Sequence, residues 1–277
     1  MPELPEVYTI TKDLKKYATG HVIKDIRVEP RYHIKSGNNK FIKLVLGKKI
    51  LDVNRIAKNI ILELESNIYI RIHLGMSGRI LLRNRNEIKD RWTRCILLLK
   101  NTKNSYVELR FIDTRKFGRI EVLNKNNIEE LRNKYGIEPI NRNINYSEIY
   151  KKIHKKDTSI KNVLLDQKII AGLGNIYATD ALFLSGIHPN TSSKKLSVSE
   201  IEKIILCAGN VLKEAIKNKG STLKDKAYVN IFGKEGKYQK HFKIYEQKIC
   251  PKCSKDTKVL RISGRRSWYC PHCQILK

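Results

Sequence analysis

The chain has 277 residues, of which 41% are apolar, so it can form two domains of ordinary size with hydrophobic cores. Lys and Arg number 56 against 27 acidic residues, which gives a formal net charge of +29. This excess argues against an enzyme of small neutral metabolites. It indicates a partner rich in phosphate, because Lys and Arg displace the counterions condensed on such a polymer. The alternative is a merely basic composition in a chain that is also rich in Asn and Ile.

The chain gives no sign of export or of membrane insertion. No run approaches the roughly 18 apolar residues of a membrane span, and the first residues do not form a cationic signal region. We therefore expect a cytoplasmic protein in a reducing compartment, with Cys95 and Cys207 as plain core thiols.

The first half of the chain changes from a helical to a strand-like period. Residues 5–18 carry apolar side chains at helical spacing, and Pro5 is tolerated in the first turn. From about 22 to 123, short runs rich in Ile, Leu and Val alternate with Gly, Asn and Lys turns, which predicts a mostly antiparallel β domain, either a sandwich or a flattened barrel. The clearest runs cover 60–64, 68–74, 95–99, 106–112 and 119–123.

The second half of the chain favours helices. A capping box of Ser197 and Glu200 opens the best-signalled helix, which ends at Gly220. Another helix follows the Gly-Leu-Gly turn at 172–174 and ends at Gly186. A polar loop rich in Lys and Gly then runs from 220 to about 243. Further helices are predicted at 127–134, 146–154 and 158–165.

Two cysteine pairs close the chain: Cys250 with Cys253, and Cys270 with Cys273, separated by sixteen residues. This is a zinc-ribbon spacing, in which each Cys-x-x-Cys turn offers two thiolates to one tetrahedral ion. Four thiolates fill the coordination shell, so we expect a structural Zn²⁺. Two disulfides are the alternative, which the reducing compartment disfavours. The arginines between the pairs indicate contact with a polyanion.

The beginning of the chain carries a possible nucleophile. If Met1 is removed, Pro2 presents a secondary amine that titrates near the α-amino pKa of about 8, so more of it is free base at neutral pH than of a lysine. Such an amine can attack an electrophilic carbon and form an iminium. Glu3 and Glu6 stand beside it as possible proton donors. An ordinary capped helix start is the alternative for these residues taken alone.

Four motifs occur in order: Met-Pro-Glu-Leu-Pro-Glu-Val at 1–7, His-Leu-Gly-Met-Ser-Gly at 73–78, Gly-Leu-Gly-Asn-Ile-Tyr-Ala at 172–178, and the cysteine pairs ending in Cys-Pro-His-Cys-Gln. Over its full length the chain resembles the bacterial formamidopyrimidine-DNA glycosylase family, bifunctional enzymes that excise oxidised purines such as 8-oxoguanine. The opening motif resembles this branch rather than the endonuclease VIII branch of the same superfamily.

The resemblance implies an α+β fold with four regions. An N-terminal antiparallel β-sandwich domain with an N-terminal helix is expected at 1–125, and a hinge at 126–145. A helix-two-turn-helix DNA-binding region with a loop over the lesion follows at 146–242. A zinc finger occupies 243–277.

The resemblance also implies catalytic roles. Pro2 matches the nucleophile that attacks C1′ and forms a Schiff base to DNA. Glu3 matches the acid that protonates the sugar ring oxygen, and Glu6 matches a supporting carboxylate. Lys58 matches a β-strand lysine that serves β-elimination. Arg265 matches the zinc-hairpin arginine assigned to δ-elimination; a guanidinium is a poor acid at neutral pH, so we expect phosphate clamping from it.

Residues that hold the DNA are implied in the same way. Met76, Arg115 and Phe117 match three side chains that fill the space left by an extruded nucleotide. Trp92 stands where the family usually has a His phosphate contact, which puts that contact in doubt. The motif around Arg115 also departs from the family, because Lys116 replaces an arginine and a bidentate fork is lost.

The predicted helix-two-turn-helix adds three candidate contacts. Asn175 follows a Gly-x-Gly turn at a helix start, where free backbone N–H groups bind phosphate, and it matches a DNA-backbone contact of the family. Lys156 and Lys161 match basic residues used on phosphate and near the lesion. A solvated basic helix face is the alternative for each lysine.

We therefore expect a monomeric enzyme with one structural Zn²⁺ that acts on double-stranded DNA containing an oxidised purine or an abasic site, with cleavage by β,δ-elimination. Two alternatives stay open. One is an endonuclease VIII-type enzyme that prefers oxidised pyrimidines, and the other is a catalytically silent zinc-ribbon protein that binds damaged or bent DNA.

Overall fold

The computed structural model describes residues 1–277. The chain divides into two compact units, each with its own elements: the first comprises Met1–Asn133 and Asn218–Lys237, and the second comprises Lys134–Lys217 and Tyr238–Lys277. None of the helices combines the length and apolarity that a membrane-spanning segment requires.

The first unit is a β-sandwich with a helix at the start of the chain. Two four-stranded sheets, in the orders β1-β6-β7-β5 and β2-β3-β4-β8, are antiparallel throughout. Its elements are α1 (Leu4–Ala18), β1 (Val22–Val28), α2 (Asn38–Val45), β2 (Ile50–Ile56), β3 (Asn59–Leu64), β4 (Ile68–His73), β5 (Gly78–Asn84), β6 (Thr93–Lys100), β7 (Tyr106–Asp113), β8 (Arg119–Asn124) and α3 (Lys125–Asn133).

One hydrophobic core holds this unit together. Val7, Ile10 and Leu14 of α1 pack into the same cluster as the inward side chains of both sheets. Their spacing places them on one helix face, so burying that face fixes α1 against the sandwich. Tyr228 and Ile231 belong to the same cluster, and the Leu82 N–H donates to the Ile231 carbonyl at 2.8 Å. The segment Asn218–Lys237 is therefore part of the first unit.

The second unit is mainly helical and ends in a hairpin. Helix α6 is buried on almost every side, and α7 buries one apolar face. Asp180 of α6 is fully buried and accepts the N–H groups of Ile244 and Tyr245, each at 3.0 Å. The elements are α4 (Tyr146–His154), α5 (Ile160–Leu165), α6 (Asn175–Ser185), α7 (Val198–Lys217), β9 (Lys258–Ile262) and β10 (Arg265–Tyr269).

The fold confirms the predicted α+β class and most of the predicted elements. The helix predicted at 146–154 is α4, and the capping box is present, because the Ser197 N–H donates to Glu200 at 3.0 Å and the Glu200 N–H to Ser197 Oγ at 3.3 Å. The mostly antiparallel β domain predicted for 22–123 is present, and within it the structure adds one helix that was not predicted, α2, which buries Phe41 and Val45. The predicted lesion loop belongs to the first unit over residues 218–237, whereas the predicted division grouped it with the helical region.

Candidate active site and nucleic-acid interface

The start of the chain is held by a reciprocal pair of carboxylates. Glu3 is the N-cap of α1 and forms a capping box with Glu6, whose Oε2 accepts the Glu3 N–H at 2.8 Å. Both carboxylates are 2% exposed, and Pro2 is buried beside them. The box fixes the backbone next to Pro2, so the chain start is an ordered feature rather than a frayed terminus.

Glu6 also connects this chain start to the segment Asn218–Lys237. Its Oε1 accepts the Ser221 N–H at 2.7 Å. A Cβ on Gly220 would lie 2.7 Å from the same oxygen, and Gly220 has φ +77°, so only glycine fits at this contact. One side chain thus holds both the residue next to Pro2 and the start of the predicted lesion loop.

Lys58 lies in the turn between β2 and β3, and not within a strand as the resemblance implied. Ile56 and Asn59 pair across this turn, and Ala57 takes the left-handed φ of 51°. Lys58 is 7% exposed, and its charge is one of the factors that lower the pKa of His73. Desolvation of the imidazole is the largest factor, followed by the charges of Arg71, Lys58 and Arg119. These factors together lower the pKa of His73 to about 4. His73 is therefore neutral, and its Nδ1 accepts the Gly75 N–H at 3.1 Å.

Met76, Arg115 and Phe117 stand exposed on two neighbouring loops, at 74–77 and 114–118. The Arg115 guanidinium lies 4.7 Å from the centre of the Phe117 ring. A Cβ on Gly75 would lie 2.6 Å from the Phe117 carbonyl carbon, so the two loops touch backbone to backbone. The structure therefore places the three predicted void-filling side chains on adjoining loops, and all three face solvent.

Asp113 ties these loops to each other. It is fully buried, and its carboxylate accepts the Ser77 hydroxyl at 2.5 Å, the Gly118 N–H at 2.7 Å and the Arg115 N–H at 3.2 Å. Charged acceptors make stronger hydrogen bonds than neutral ones. A single carboxylate therefore sets the loop carrying Met76 against the loop carrying Arg115 and Phe117.

Trp92 is 44% exposed in a left-handed conformation with φ 66°. Its ring contacts two guanidinium groups, those of Arg91 at 4.7 Å and Arg94 at 5.5 Å. Arg94 is 7% exposed and donates to the Asp113 carbonyl at 2.8 Å and to Glu29 at 3.2 Å. Arg94 is thus engaged within the fold, whereas Arg91 is exposed beside the Trp92 ring.

The Gly-x-Gly turn before α6 is shaped by Gln167. Its amide accepts the Gly172 N–H at 2.9 Å and donates to the Leu173 carbonyl at 2.9 Å. Asn175 then begins α6, and its side-chain amide donates to the Arg266 carbonyl at 2.9 Å. The helix start and the hairpin are therefore joined at the residue predicted to contact DNA.

The two predicted lysines of this region differ in exposure. Lys156 is half exposed, 3.6 Å from Asp166. Lys161 is fully buried and donates to the Asn175 carbonyl at 3.0 Å and to the Thr179 hydroxyl. This differs from the predicted phosphate contact, because a buried ammonium with these acceptors supports α6 instead of reaching solvent.

Arg265 follows a two-residue turn in the terminal hairpin. Ser263 and Gly264 have φ of 45° and 75°, values typical of a type I′ turn, and Ile262 pairs with Arg265 across it. Arg265 and Arg266 are both exposed. The turn therefore presents two adjacent guanidinium groups, so Arg266 is a rival for the role that the resemblance implied for Arg265.

The four cysteines of the hairpin form one cluster. Their Sγ atoms lie within 4.8 Å of one another, with 3.9 Å between Cys250 and Cys273 and 3.5 Å between Cys253 and Cys270. A tetrahedral zinc site with Zn–S bonds of about 2.3 Å has edges of about 3.8 Å, so the donor set fits a zinc ion. All six cysteines are free thiols, so the disulfide alternative is wrong for this structure.

Gln274 links this cluster to Ile187, just past the end of α6. It is 1% exposed, accepts the Cys270 N–H at 3.0 Å and donates to the Ile187 carbonyl at 2.8 Å. The sequence contained the signal, because this Gln ends the Cys-Pro-His-Cys-Gln motif. The roles of Asp113 and Gln167 escaped sequence reasoning, because their importance comes from contacts that only the fold creates.

Fold and site together define a class of protein. A sandwich with a buried Pro2-Glu3 start, exposed loops that carry an arginine and large apolar side chains, a helical unit and a four-cysteine hairpin is an arrangement suited to an enzyme that acts on nucleic acid. The net charge of +29 agrees with this class.

Comparisons with known proteins give the particular family. Residues 1–120 match the Formamidopyrimidine-DNA glycosylase N-terminal domain, and residues 135–227 match the Formamidopyrimidine-DNA glycosylase H2TH domain. Relatives named formamidopyrimidine-DNA glycosylase include one from Chloroflexus aurantiacus, 34% identical over 99% of this chain and 98% of its own, and one from Rickettsia africae, 36% identical over 99% of each. The chain belongs to the formamidopyrimidine-DNA glycosylase family.

Solved structures agree with this membership. A Lactococcus lactis enzyme of this kind, a variant in complex with DNA containing Fapy-dG, has a TM-score of 0.90 at 28% identity and covers 99% of this chain and 100% of its own. The same species' enzyme with abasic-site DNA also has a TM-score of 0.90, at 28% identity and 99% coverage of each chain.

Proposed function

We propose that this chain removes oxidised purines from DNA and cleaves the strand by β,δ-elimination through a Schiff base on Pro2. As a member of its family over the full length, the chain is a DNA glycosylase and AP lyase of base-excision repair. The observation that carries the mechanism is the ordered Pro2-Glu3 start, buried and fixed by the carboxylate of Glu6.

The proposed chemistry begins with the Pro2 nitrogen after Met1 is removed. Its lone pair attacks C1′, the bond from C1′ to the base breaks with its electron pair going to the base, and the proton that the nitrogen loses ends on the departing base. The bond from C1′ to the ring oxygen then opens as Glu3 protonates that oxygen, which leaves an iminium between Pro2 and C1′. Removal of a C2′ proton expels the 3′ phosphate, and a second elimination, which removes the C4′ proton, expels the 5′ phosphate. Water then hydrolyses the iminium, which frees Pro2 and releases the sugar fragment as an aldehyde. We assign Lys58 to the first elimination.

The DNA contacts in this proposal come from exposed residues of each unit. In the first unit, Met76, Arg115 and Phe117 replace the stacking lost when a nucleotide leaves the duplex, and Trp92 with Arg91 contacts phosphate. In the second unit, the contacts are Asn175 at its helix start, half-exposed Lys156, and Arg265, which clamps phosphate. Lys161 supports Asn175 through its carbonyl.

We propose one Zn²⁺ on Cys250, Cys253, Cys270 and Cys273. When bound, this ion would supply structural cross-linking of the hairpin and no open coordination position. The cysteines hold the ion, and Gln274 orients Cys270 through its backbone. We also propose that the protein works as a monomer in the bacterial cytoplasm, on double-stranded DNA with an oxidised purine or an abasic site.

Borohydride trapping tests the nucleophile. We expect the wild-type chain to be captured covalently on a duplex with 8-oxoguanine or an abasic site. Pro2→Gly should slow base release by at least about a hundredfold, because a constrained secondary amine is lost from the attacking position. Intact mass spectrometry of the same sample establishes whether Met1 has been removed.

Pro5→Ala is the matched control, because Pro5 lies in the first turn of the same helix without a proposed chemical role. It should trap like the wild type. Full activity from a protein whose N-terminal nitrogen is acetylated would refute the mechanism. Parallel duplexes with thymine glycol reveal whether oxidised pyrimidines are preferred, which would contradict the proposed substrate class.

A further inference from the structure

A basic groove on the first unit lies beside the loop that carries Arg115 and Phe117. It has a volume of about 440 Å³. None of the residues proposed above as catalytic lines it. Its lining comprises Arg31, Tyr32, His33, Lys35, Lys116, Gly118 and Arg119.

One wall of this groove is the segment 31–35, which alternates in burial. Tyr32 and Ile34 are 4% and 2% exposed, whereas Arg31, His33 and Lys35 are exposed. The segment is fixed from below: the Tyr32 hydroxyl donates to the Gly118 carbonyl at 3.4 Å, and the Lys35 N–H donates to the Ile120 carbonyl at 3.0 Å. The basic side chains therefore stand on an anchored backbone, which lowers the entropic cost of binding a ligand.

The other wall comes from the loop 114–118 and the start of β8. The Lys116 ammonium donates to the Arg31 carbonyl at 3.0 Å, so it joins the two walls while keeping its charge. Lys116 has φ 56°, a left-handed conformation that directs the chain between Arg115 and Phe117. The groove is thus built into the same loop that presents those two side chains.

The charges of the groove are only partly neutralised. Lys35 pairs with Glu121 at 3.0 Å, and Glu121 also pairs with Arg71 at 2.6 Å. Arg31, His33 and Arg119 form no ion pair in the structure. Two guanidinium groups and an imidazole therefore face an open groove without a carboxylate of their own, which is an arrangement suited to an oxyanion with several acceptor oxygens.

We propose that this groove binds a backbone phosphate of the DNA, with Arg31 and Arg119 as the principal donors. The inference rests on the proposed function, since insertion of Arg115 and Phe117 into a duplex brings the adjacent groove to the DNA backbone. Lys116 then contributes charge and closes the groove. The contact is independent of base identity, because it reads only phosphate.

The test is the salt dependence of DNA binding. Fluorescence anisotropy with a duplex containing a tetrahydrofuran abasic analogue gives Kd at several KCl concentrations for wild type and for Arg31→Gln/Arg119→Gln. One lost phosphate contact lowers the slope of log Kd against log salt by about 0.9. The double variant should show this drop and bind about tenfold more weakly at 0.1 M salt.

The matched control is Lys24→Gln/Lys103→Gln, which removes the same charge from exposed positions of the same unit. It should leave the slope within error of wild type. A groove variant whose slope equals that of the control would overturn the proposal, as would weaker binding with an unchanged slope, which indicates lost packing.

Trapping separates this proposal from the proposed function. The groove variant should be captured by borohydride as fully as the wild type when protein saturates the DNA, because Pro2 is untouched. A wild-type chain that binds duplex with a steep salt slope but is never trapped would refute the Pro2 chemistry and leave the groove proposal standing.

Discussion

Two regions present cations and large side chains for DNA binding in the proposed function, and they are held by different forces. The loops at 74–77 and 114–118 stand on a sandwich whose core joins α1 to both sheets. The terminal hairpin packs on a cluster with only four buried members, Phe183, Ile244, Cys250 and Cys270. The loops can rely on a large core, whereas the hairpin cannot.

This difference explains why the thiols occur where they do. A fully buried Leu or Phe contributes about 1.5–3 kcal/mol, so a cluster with two such side chains cannot offset the entropy of ordering a hairpin. Small modules of this kind need a cross-link or a metal. The loops instead need a fixed conformation, which the buried carboxylate of Asp113 stabilises by accepting hydrogen bonds from both of them. Loss of one metal ligand should therefore unfold the whole hairpin, whereas loss of one acceptor should disturb only the conformation of the loops.

Cys253→Ser should have the largest effect. With one ligand lost, the hairpin should unfold, zinc content should fall from one ion per chain to near zero, and affinity for abasic duplex should drop by at least about a hundredfold, because binding of the metal is the folding energy of such a module. Metal analysis and fluorescence anisotropy measure these changes.

Cys207→Ser is the control, since Cys207 lies on α7 outside the cluster. It should retain metal and affinity. Normal duplex binding by a metal-free Cys253→Ser protein would contradict the account of the hairpin and erase the contrast between the two regions.

Asp113→Asn should have a smaller, local effect. The amide keeps one acceptor oxygen but places a donor against groups that already donate. Each buried donor left without an acceptor costs about 1–3 kcal/mol, so affinity for lesion duplex should fall about 10- to 100-fold. With 2-aminopurine opposite the lesion, the fluorescence rise that reports unstacking should shrink, because Met76 and Phe117 are no longer held together.

Asp25→Asn serves as the control, a half-exposed carboxylate on β1 of the same unit. It should leave affinity and fluorescence within about twofold of wild type, as expected for a surface pair. Wild-type fluorescence from Asp113→Asn would show that the loops are set by their own backbone and not by the carboxylate.

The hairpin is the part that could be read most completely from the sequence. Its ligands are encoded by local spacing, so the Cys-x-x-Cys pairs predicted the cluster that the structure contains. Helices were predictable for the same reason: α1 and α7 show their buried faces in their apolar period. Family resemblance supplied proposed roles that no local pattern could have given.

What escaped prediction depends on contacts between distant parts of the chain. Glu6 meets Ser221 across 215 positions, and Ser77 meets Asp113 across 36. Helix α2 was missed because its eight residues are too short to give a clear period. Lys161 is buried where an exposed lysine was expected, because its surroundings, and not its residue type, decide whether a lysine faces solvent. Its role near the lesion stays a prediction.

The smallest expected effect is a pH dependence of the free energy of unfolding, which comes from His73 at the base of the Met76 loop. Desolvation, with Arg71, Lys58 and Arg119 nearby, lowers the pKa of His73 to about 4 in the folded chain, against 6.5 for an ordinary His. As the pH falls, His73 therefore takes up a proton in the unfolded chain at a higher pH than it does in the folded chain. The stability that neutral His73 contributes is present above pH 6.5 and is lost as pH falls toward 4. The loss should reach about 2 kcal/mol at pH 5.

Urea unfolding at pH 7 and pH 5 measures this loss, and His73→Asn is the variant to compare. Its side-chain oxygen can still accept the Gly75 N–H but does not titrate, so it should lose less stability between the two pH values. Burial also lowers the pKa of His188 in the second unit, which leaves a remaining pH dependence in both proteins. Equal losses in wild type and variant would place the acid sensitivity outside the base of the Met76 loop.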